Sequence, residues 1–210
     1  MAGVTTLPAR SARKPKGEGH SRRAEILAAA ERIFVECGYE GATIRKIAEE
    51  VGLSSTALYM HFSEKSEILL EICRNAFEEL ARNHHAIFAQ DATPELRIRR
   101  MLEAYIAFGF EHPNAYRLIY MTRPAEAREA AEDAALVQGA ELFVSFRSLL
   151  EEIAAEGRLK RDTGAAAQAL WAGAHGVVSL MITKPYFDWV DQKALIDTML
   201  DSLFEGMIRS

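Results

Sequence analysis

Cysteine is nearly absent from this sequence. Two residues, Cys37 and Cys73, in a chain of 210 exclude a disulfide scaffold and a multi-cysteine zinc site. Both are expected to be buried, as small apolar side chains. Six prolines and 13 glycines are too few for a collagen-like or low-complexity chain. We read no uncharged apolar run as approaching the ~18 residues of a membrane span, so no transmembrane helix is expected. The first 20 residues lack an apolar core, so no secretory signal is expected either. Also missing are a glycine-rich phosphate loop, a nucleophile elbow and a His-Glu-x-x-His zinc helix. His84 and His85 are adjacent and point apart on a helix, which is poor geometry for one metal. No metal, no cofactor and no membrane partner are expected, and a cytoplasmic location is the default.

What is present is an ordinary globular balance, 49% hydrophobic and 26% charged. That apolar content excludes a chain disordered throughout. The net charge of −5 hides an asymmetry. Residues 1–23 hold six basic side chains (Arg10, Arg13, Lys14, Lys16, Arg22, Arg23) against Glu18, a local +5, and the rest of the chain carries −10. Residues 1–20 have no apolar period and read as a disordered basic arm, either a solubilising tail or an extra phosphate contact.

Everything beyond reads as helix, with no sustained strand alternation and about nine helices in all. Ser21 is a plausible N-cap for a first helix to Cys37, stopped by Gly38 in a left-handed conformation. Thr43 caps a short second helix that Gly52 stops, Ser54 a shorter third, and Ser63 a fourth. Thr93-Pro94 opens a fifth carrying Leu96, Met101, Leu102, Tyr105 and Phe108. His112-Pro113 and Arg123-Pro124 mark breaks. A long helix is expected from about Ala125 to Glu156, with Gly157 as its stop. Asp162 or Thr163 opens the next, through Ile182, and the last covers about Asp191 to Met207.

Two short helices joined by Glu50-Val51-Gly52-Leu53-Ser54 are the sharpest feature. Ala48 is small enough for a close crossing, Gly52 permits a positive φ, and Val51, Leu53 and Leu58 are placed to lock the pair. This is a helix-turn-helix pattern, although the turn alone fits an ordinary helical hairpin equally well.

The surroundings add more. Ile26-Leu27 with Ala30 and Phe34, Gly38-Tyr39, Gly41-Ala42-Thr43, Ile47-Ala48, Val51-Gly52-Leu53-Ser54, Leu58-Tyr59-Met60-His61-Phe62, Lys65 and Leu69 stand in unbroken order. From Arg22 to Leu70 the chain resembles the DNA-binding domain of the TetR family of bacterial transcriptional regulators. The resemblance implies an all-α fold. A three-helix helix-turn-helix domain (21–66) would precede a helical bundle for ligand binding and dimerisation (67–210). It also implies a DNA surface. Thr43 would cap and touch phosphate, and Arg45 would reach a guanine edge. Lys46 would be a phosphate or solvent residue. Ser54, Ser55 and Thr56 would form the first turn of the recognition helix. Tyr59 and His61 would meet the DNA backbone. Lys65 sits in the first turn of a helix, where a cation opposes the dipole, so an anionic phosphate partner is expected. Phe62 reads as core.

The second half is rich in aromatics and methionines. Met101, Tyr105, Phe108, Tyr120, Phe143, Trp171 and His175 are the candidate effector contacts, with core packing the competing role for each. Trp171, His175 and Gly176 resemble a Trp…His-Gly signature of one C-terminal subclass of the family. Ala165, Ala166, Ala169, Ala172, Gly173, Ala174 and Gly176 would let that helix approach closely. With Leu195, Met199, Leu203 and Met207 of the last helix it would build a homodimer interface, and a palindromic double-stranded operator would mirror the two-fold axis. The expected function is a ligand-responsive homodimeric repressor rather than an enzyme. A helical small-molecule-binding protein or enzyme with a vestigial DNA-binding domain is one rival, and an architectural DNA-binding protein that senses nothing is another.

Overall fold

Short polar side chains set the helix starts. Thr43, Ser54, Thr93, Asp162 and Asp191 each accept a hydrogen bond from the backbone N–H three residues on. Such a cap contributes about 1 kcal/mol by satisfying an otherwise orphaned donor. Glycine sets stops at Gly52 and Gly157 (φ 67 and 71°) and a kink inside the first helix at Gly38 (φ 71°), a region costly for residues with a Cβ.

The computed structural model describes residues 19–121 and 128–209. Among them are nine helices and no strand, so the fold is all-α. The helices are α1 (Gly19–Gly41), α2 (Ile44–Glu50), α3 (Ser55–Tyr59), α4 (Lys65–Phe88), α5 (Pro94–Glu111), α6 (Pro113–Tyr120), α7 (Arg128–Ala155), α8 (Thr163–Thr183) and α9 (Gln192–Met207). One isolated antiparallel bridge joins Leu159 to Ile208. The chain divides into two compact units with the boundary between Leu69 and Leu70, inside α4.

Two expectations near the N-terminus need correction. Helix α1 begins at Gly19, not at Ser21, and the Ser21 hydroxyl instead bonds Glu25 from within the first turns. Cys37 is exposed, because it ends the regular part of α1 just before Gly38; Cys73 is buried as expected. The basic arm up to residue 18 and the expected helix start at Ala125 lie outside the described residues.

In the first unit, α1 packs on α2 and α2 on α3. Ile26, Ala30, Phe34, Ile47, Ala48, Leu58 and Phe62 are all at most 1% exposed. Burial of an Ile, Leu or Phe side chain contributes roughly 1.5–3 kcal/mol. The Ser63 N–H and hydroxyl both donate to Glu67 (2.7 and 2.9 Å), closing the turn ahead of α4.

In the second unit, α8 packs against α5, α7 and α9. It also corrects an expectation. From Thr163 to Thr183 it has no Asp, Glu, Lys or Arg, and by length and composition it could cross a membrane (mean hydropathy 1.3). Its place in the unit accounts for part of that apolarity: Ala166, Ala167, Leu170, Ala174, Val177 and Val178 are buried, about a third of the apolar stretch. Close approach to α5 depends on Gly109, where a Cβ would collide with Val178 and stand 3.1 Å from the Tyr116 ring.

The small residues of α8 are shared between two uses. Ala166 and Ala174 are buried within the chain. A Cβ on Gly173 would meet Leu203 at 2.8 Å and Met199 at 3.0 Å, so that glycine serves the packing of α9 on α8 in one chain. Ala165 and Ala172 remain exposed, and Ala169 and Gly176 half-exposed. Leu96 is 40% exposed, because it lies in the first turn of α5 and turns away from the core.

Candidate functional site

The first candidate surface is built on the turn between α2 and α3. Leu53 N–H donates to Ala48 O (2.8 Å) and Gly52 N–H to Glu49 O (3.2 Å), so the chain reverses within three residues. Leu58 is fully buried, whereas Val51 and Leu53 are half-buried. The buried side of α3 is therefore a single residue wide. Its other residues are free to present polar groups outward.

Thr43, Ser54 and Thr56 are exposed, and Ser55 and His61 are half-exposed. The Thr43 and Ser54 hydroxyls accept from Lys46 N–H and Ala57 N–H (3.2 and 3.1 Å). Tyr59 is 54% exposed, which separates it from the core aromatics Phe34 and Phe62. The Arg45 side chain is 81% exposed and donates to Glu49 one turn on (2.7 Å). An ion pair so solvated is weak and exchanges readily for another partner.

Of the other cations of this unit, Arg32 pairs with Glu50 at the surface (3.0 Å), while four hold backbone carbonyls. Arg22 donates to Val51 O at the end of α2 (3.3 Å), and Arg23 to His61 O just beyond α3 (2.5 Å). The Arg23 guanidinium also lies 4.0 Å from the Phe62 ring centre. A cation at helix C-terminal carbonyls is favoured by the helix dipole. Lys46 donates to Gly41 O (2.8 Å). Lys65 donates to Tyr39 O and Ala42 O (2.7 and 3.2 Å) and sits over the Tyr39 ring. The chain itself thus supplies the electron-rich partner for which the dipole rule called at Lys65. Arg22 and Arg23 likewise belong to the folded unit and not to the arm with which their charge was counted.

The second candidate surface lies within the second unit. Trp171 and His175, one turn apart on α8, face Tyr105 of α5 and Tyr116 and Tyr120 of α6. The Tyr116 hydroxyl is 2.6 Å from His175 Nδ1 and 3.0 Å from the Tyr105 hydroxyl, which is 3.4 Å from the same nitrogen. Ring centres of Tyr116 and Tyr120 are 4.9 Å apart, and Phe143 of α7 stands 5.8 Å from Trp171. Burial pushes the Tyr105, Tyr116 and Tyr120 phenols well above their usual range and pushes the His175 imidazole down. All four are therefore neutral near pH 7. This is a network of neutral hydroxyls and one imidazole on aromatic faces. It suits an uncharged, largely apolar molecule with one or two polar atoms.

The structure brings together Tyr105, Tyr120, Phe143, Trp171 and His175 of the seven candidates. Met101 and Phe108 are buried core residues, and the Phe108 ring lies 5.2 Å from His112. Tyr116, one of the aromatics of the second half but not one of those seven, links Tyr105 to His175 through its hydroxyl. Its spacing from Tyr120, one helical turn on the short α6, was the available signal.

Comparison with known proteins gives a consistent result. Residues 98–203 match the family model described as tetracyclin repressor-like, C-terminal domain, and residues 26–72 match that described as bacterial regulatory proteins, tetR family. The chain is 28% identical over 204 residues to the HTH-type transcriptional activator FasR of Mycolicibacterium smegmatis, covering 95% of this chain and 84% of that protein. It is 34% identical over 104 residues to the HTH-type transcriptional repressor KstR2 of Mycobacterium tuberculosis, covering 50% of this chain and 52% of that one. Among solved structures, the ketosteroid transcriptional regulator KstR2 of M. tuberculosis superposes with a TM-score of 0.75 at 20% identity, covering 90% of this chain and 96% of that one. A Clostridium perfringens protein described as a fatty acid metabolism regulator gives 0.72 at 16% identity, covering 89% and 100%. At such identities the two structures establish the shared fold.

Proposed function

Because the chain belongs to the TetR family of bacterial transcriptional regulators, and is a regulator rather than an enzyme, we propose that it is a cytoplasmic homodimeric repressor released from a palindromic operator by a small molecule. The observation that carries the DNA-binding part is the division of cations and hydroxyls in the first unit. Arg22, Arg23, Lys46 and Lys65 hold backbone carbonyls, while Arg45, Thr56 and Tyr59 face solvent around a turn whose geometry is fixed. In this reading Arg45 leaves Glu49 for a guanine edge. Thr43, Ser54, Ser55, Thr56, Tyr59 and His61 supply short hydroxyl and backbone contacts, some of them water-mediated. Lys46 and Lys65 act at the rim of the same surface, where each would exchange a carbonyl for a phosphate.

The dimer would use the part of α8 that the chain leaves uncovered. Ala165, Ala169, Ala172, Gly176 and Leu180 recur at helical spacing, and Leu180 is 51% exposed. The effector would enter at Trp171, 42% exposed at the edge of the aromatic network. Structural neighbours described as a fatty acid metabolism regulator and a ketosteroid transcriptional regulator agree with a lipid-like effector. Helix α4 begins in the first unit and ends in the second, and is the element through which the effector would bias DNA affinity. Release requires that the effector bind one arrangement of the chain more tightly than the other.

An anisotropy titration against DNA flanking the protein's own gene, at two salt concentrations and with nonspecific competitor, tests this. Competitor-resistant, salt-dependent binding is expected, with Arg45→Ala weakening specific affinity ~10-fold or more. An Arg45→Ala, Tyr59→Ala double variant that retained full specific affinity would remove the assigned surface.

A further inference from the structure

Away from both surfaces, α4 meets the corner between α5 and α6 at three side chains. Glu79 stands on α4, Glu111 is the last residue of α5, and His112 is the residue between α5 and α6. Each offers one ligand atom, and the three atoms lie within 4.8 Å of one another. His112 Nε2 and Glu79 Oε1 are 3.1 Å apart. Metal–ligand bonds of about 2.0–2.2 Å place neighbouring donors about 3–3.5 Å apart. The hydrogen-bonded pair His112–Glu79 already stands at that spacing, and the Glu111 carboxylate lies within 4.8 Å of both.

The backbone makes the convergence possible. Successive residues on a regular helix point apart, as at His84 and His85. His112 has left the helix (φ −124°, ψ 58°), so its side chain can turn back beside that of Glu111. It makes no capping hydrogen bond to α6, and the Phe108 ring 5.2 Å away supports the imidazole plane. Two carboxylates thus share one imidazole. On α4, Arg74 is engaged by Glu71 and Glu78, and Arg82 stands one turn on from Glu79. All three groups remain partly open to water, which leaves coordination positions for solvent.

We propose that Glu79, Glu111 and His112 form a site for a divalent first-row transition-metal ion, which clamps α4 to the α5–α6 corner. One nitrogen and two carboxylate oxygens suit Zn²⁺, Co²⁺ or Mn²⁺ and exclude a preference for Cu⁺, which seeks thiolates and thioethers. The proposal is independent of any DNA or effector contact.

The test is calorimetric titration of the chelator-stripped full chain with Zn²⁺, with Co²⁺ visible absorption as a second reading of ligand geometry. One ion per chain is expected. His112→Ala and Glu79→Gln should each weaken binding about tenfold or more, and His85→Ala should not. Zn²⁺ should raise the melting temperature of the wild type and of His85→Ala, and leave that of His112→Ala unchanged. Wild-type affinity in His112→Ala or Glu79→Gln, or no saturable wild-type binding below millimolar Zn²⁺, would overturn the proposal.

Discussion

In the first unit the polar groups around the turn act on backbone, beside the side-chain pair Arg32–Glu50. Thr43 and Ser54 reach three residues along the chain, and Arg22, Arg23 and Lys65 reach carbonyls at helix ends. In the aromatic cluster of the second unit they act on one another: Tyr105, Tyr116 and His175 come from three helices and as far as 70 residues apart, and they bond side chain to side chain. A frame of backbone contacts is rigid and leaves the outward side chains free to vary. A side-chain network in an aromatic environment responds to whatever replaces one of its members.

Each unit can be perturbed separately to sharpen this contrast. The largest effect is expected from Leu58→Ala. It empties the single buried position of α3, should cost about 2–5 kcal/mol, and should abolish specific DNA binding while far-UV circular dichroism keeps the signal of α5–α9. Loss of the second unit's helicity in that variant would contradict the separation. Next comes Gly109→Ala, which forces a methyl against Val178 where α5 meets α8. Overpacking of this kind costs about 1–3 kcal/mol, read as a lower thermal midpoint. Tyr116→Phe removes the hydroxyl nearest His175 and should cost roughly 1–2 kcal/mol in denaturant unfolding, with specific DNA affinity unchanged in the absence of effector.

Arg23→Met is the subtler test of the first unit. If Arg23 holds His61 O, specific affinity falls several-fold while the slope of log affinity against log salt stays the same. A lost phosphate contact would instead reduce that slope by about 0.9.

The last effect concerns pH and is confined to acid conditions. His84, on α4, is 2.9 Å from the Ser145 hydroxyl of α7, and burial, with the adjacent His85, lowers its pKa from 6.5 to about 4. The unfolded chain therefore binds the proton more readily than the folded one. Its contribution is fully present above about pH 6.5 and is lost as the pH falls toward about 4. His84→Gln should flatten the stability profile in that window. An unchanged profile would show that the ring is solvated.

The same contrast explains what could be read from sequence. Helix starts at Thr43, Ser54, Thr93 and Asp191 and left-handed glycines at 38 and 52 were legible, because a cap and a positive φ are local events. The start of α1 at Gly19 was missed because Ser21 is a good capping residue that the tertiary fold passes over. The burial of α8 was hidden because periodicity does not distinguish a core helix from a longer apolar span. Tyr116 was not legible as a contact because its partner lies 59 residues away.

The sequence by itself determined the order of the helices, the capped starts at Thr43, Ser54, Thr93 and Asp191, and the helix-turn-helix, since each rests on interactions within a few residues. Only the tertiary structure decided which cations turn inward, which tyrosines meet His175, and that Glu79 stands beside Glu111 and His112. Those outcomes depend on how helices distant in sequence cross, and a chain met as letters carries no record of the crossing.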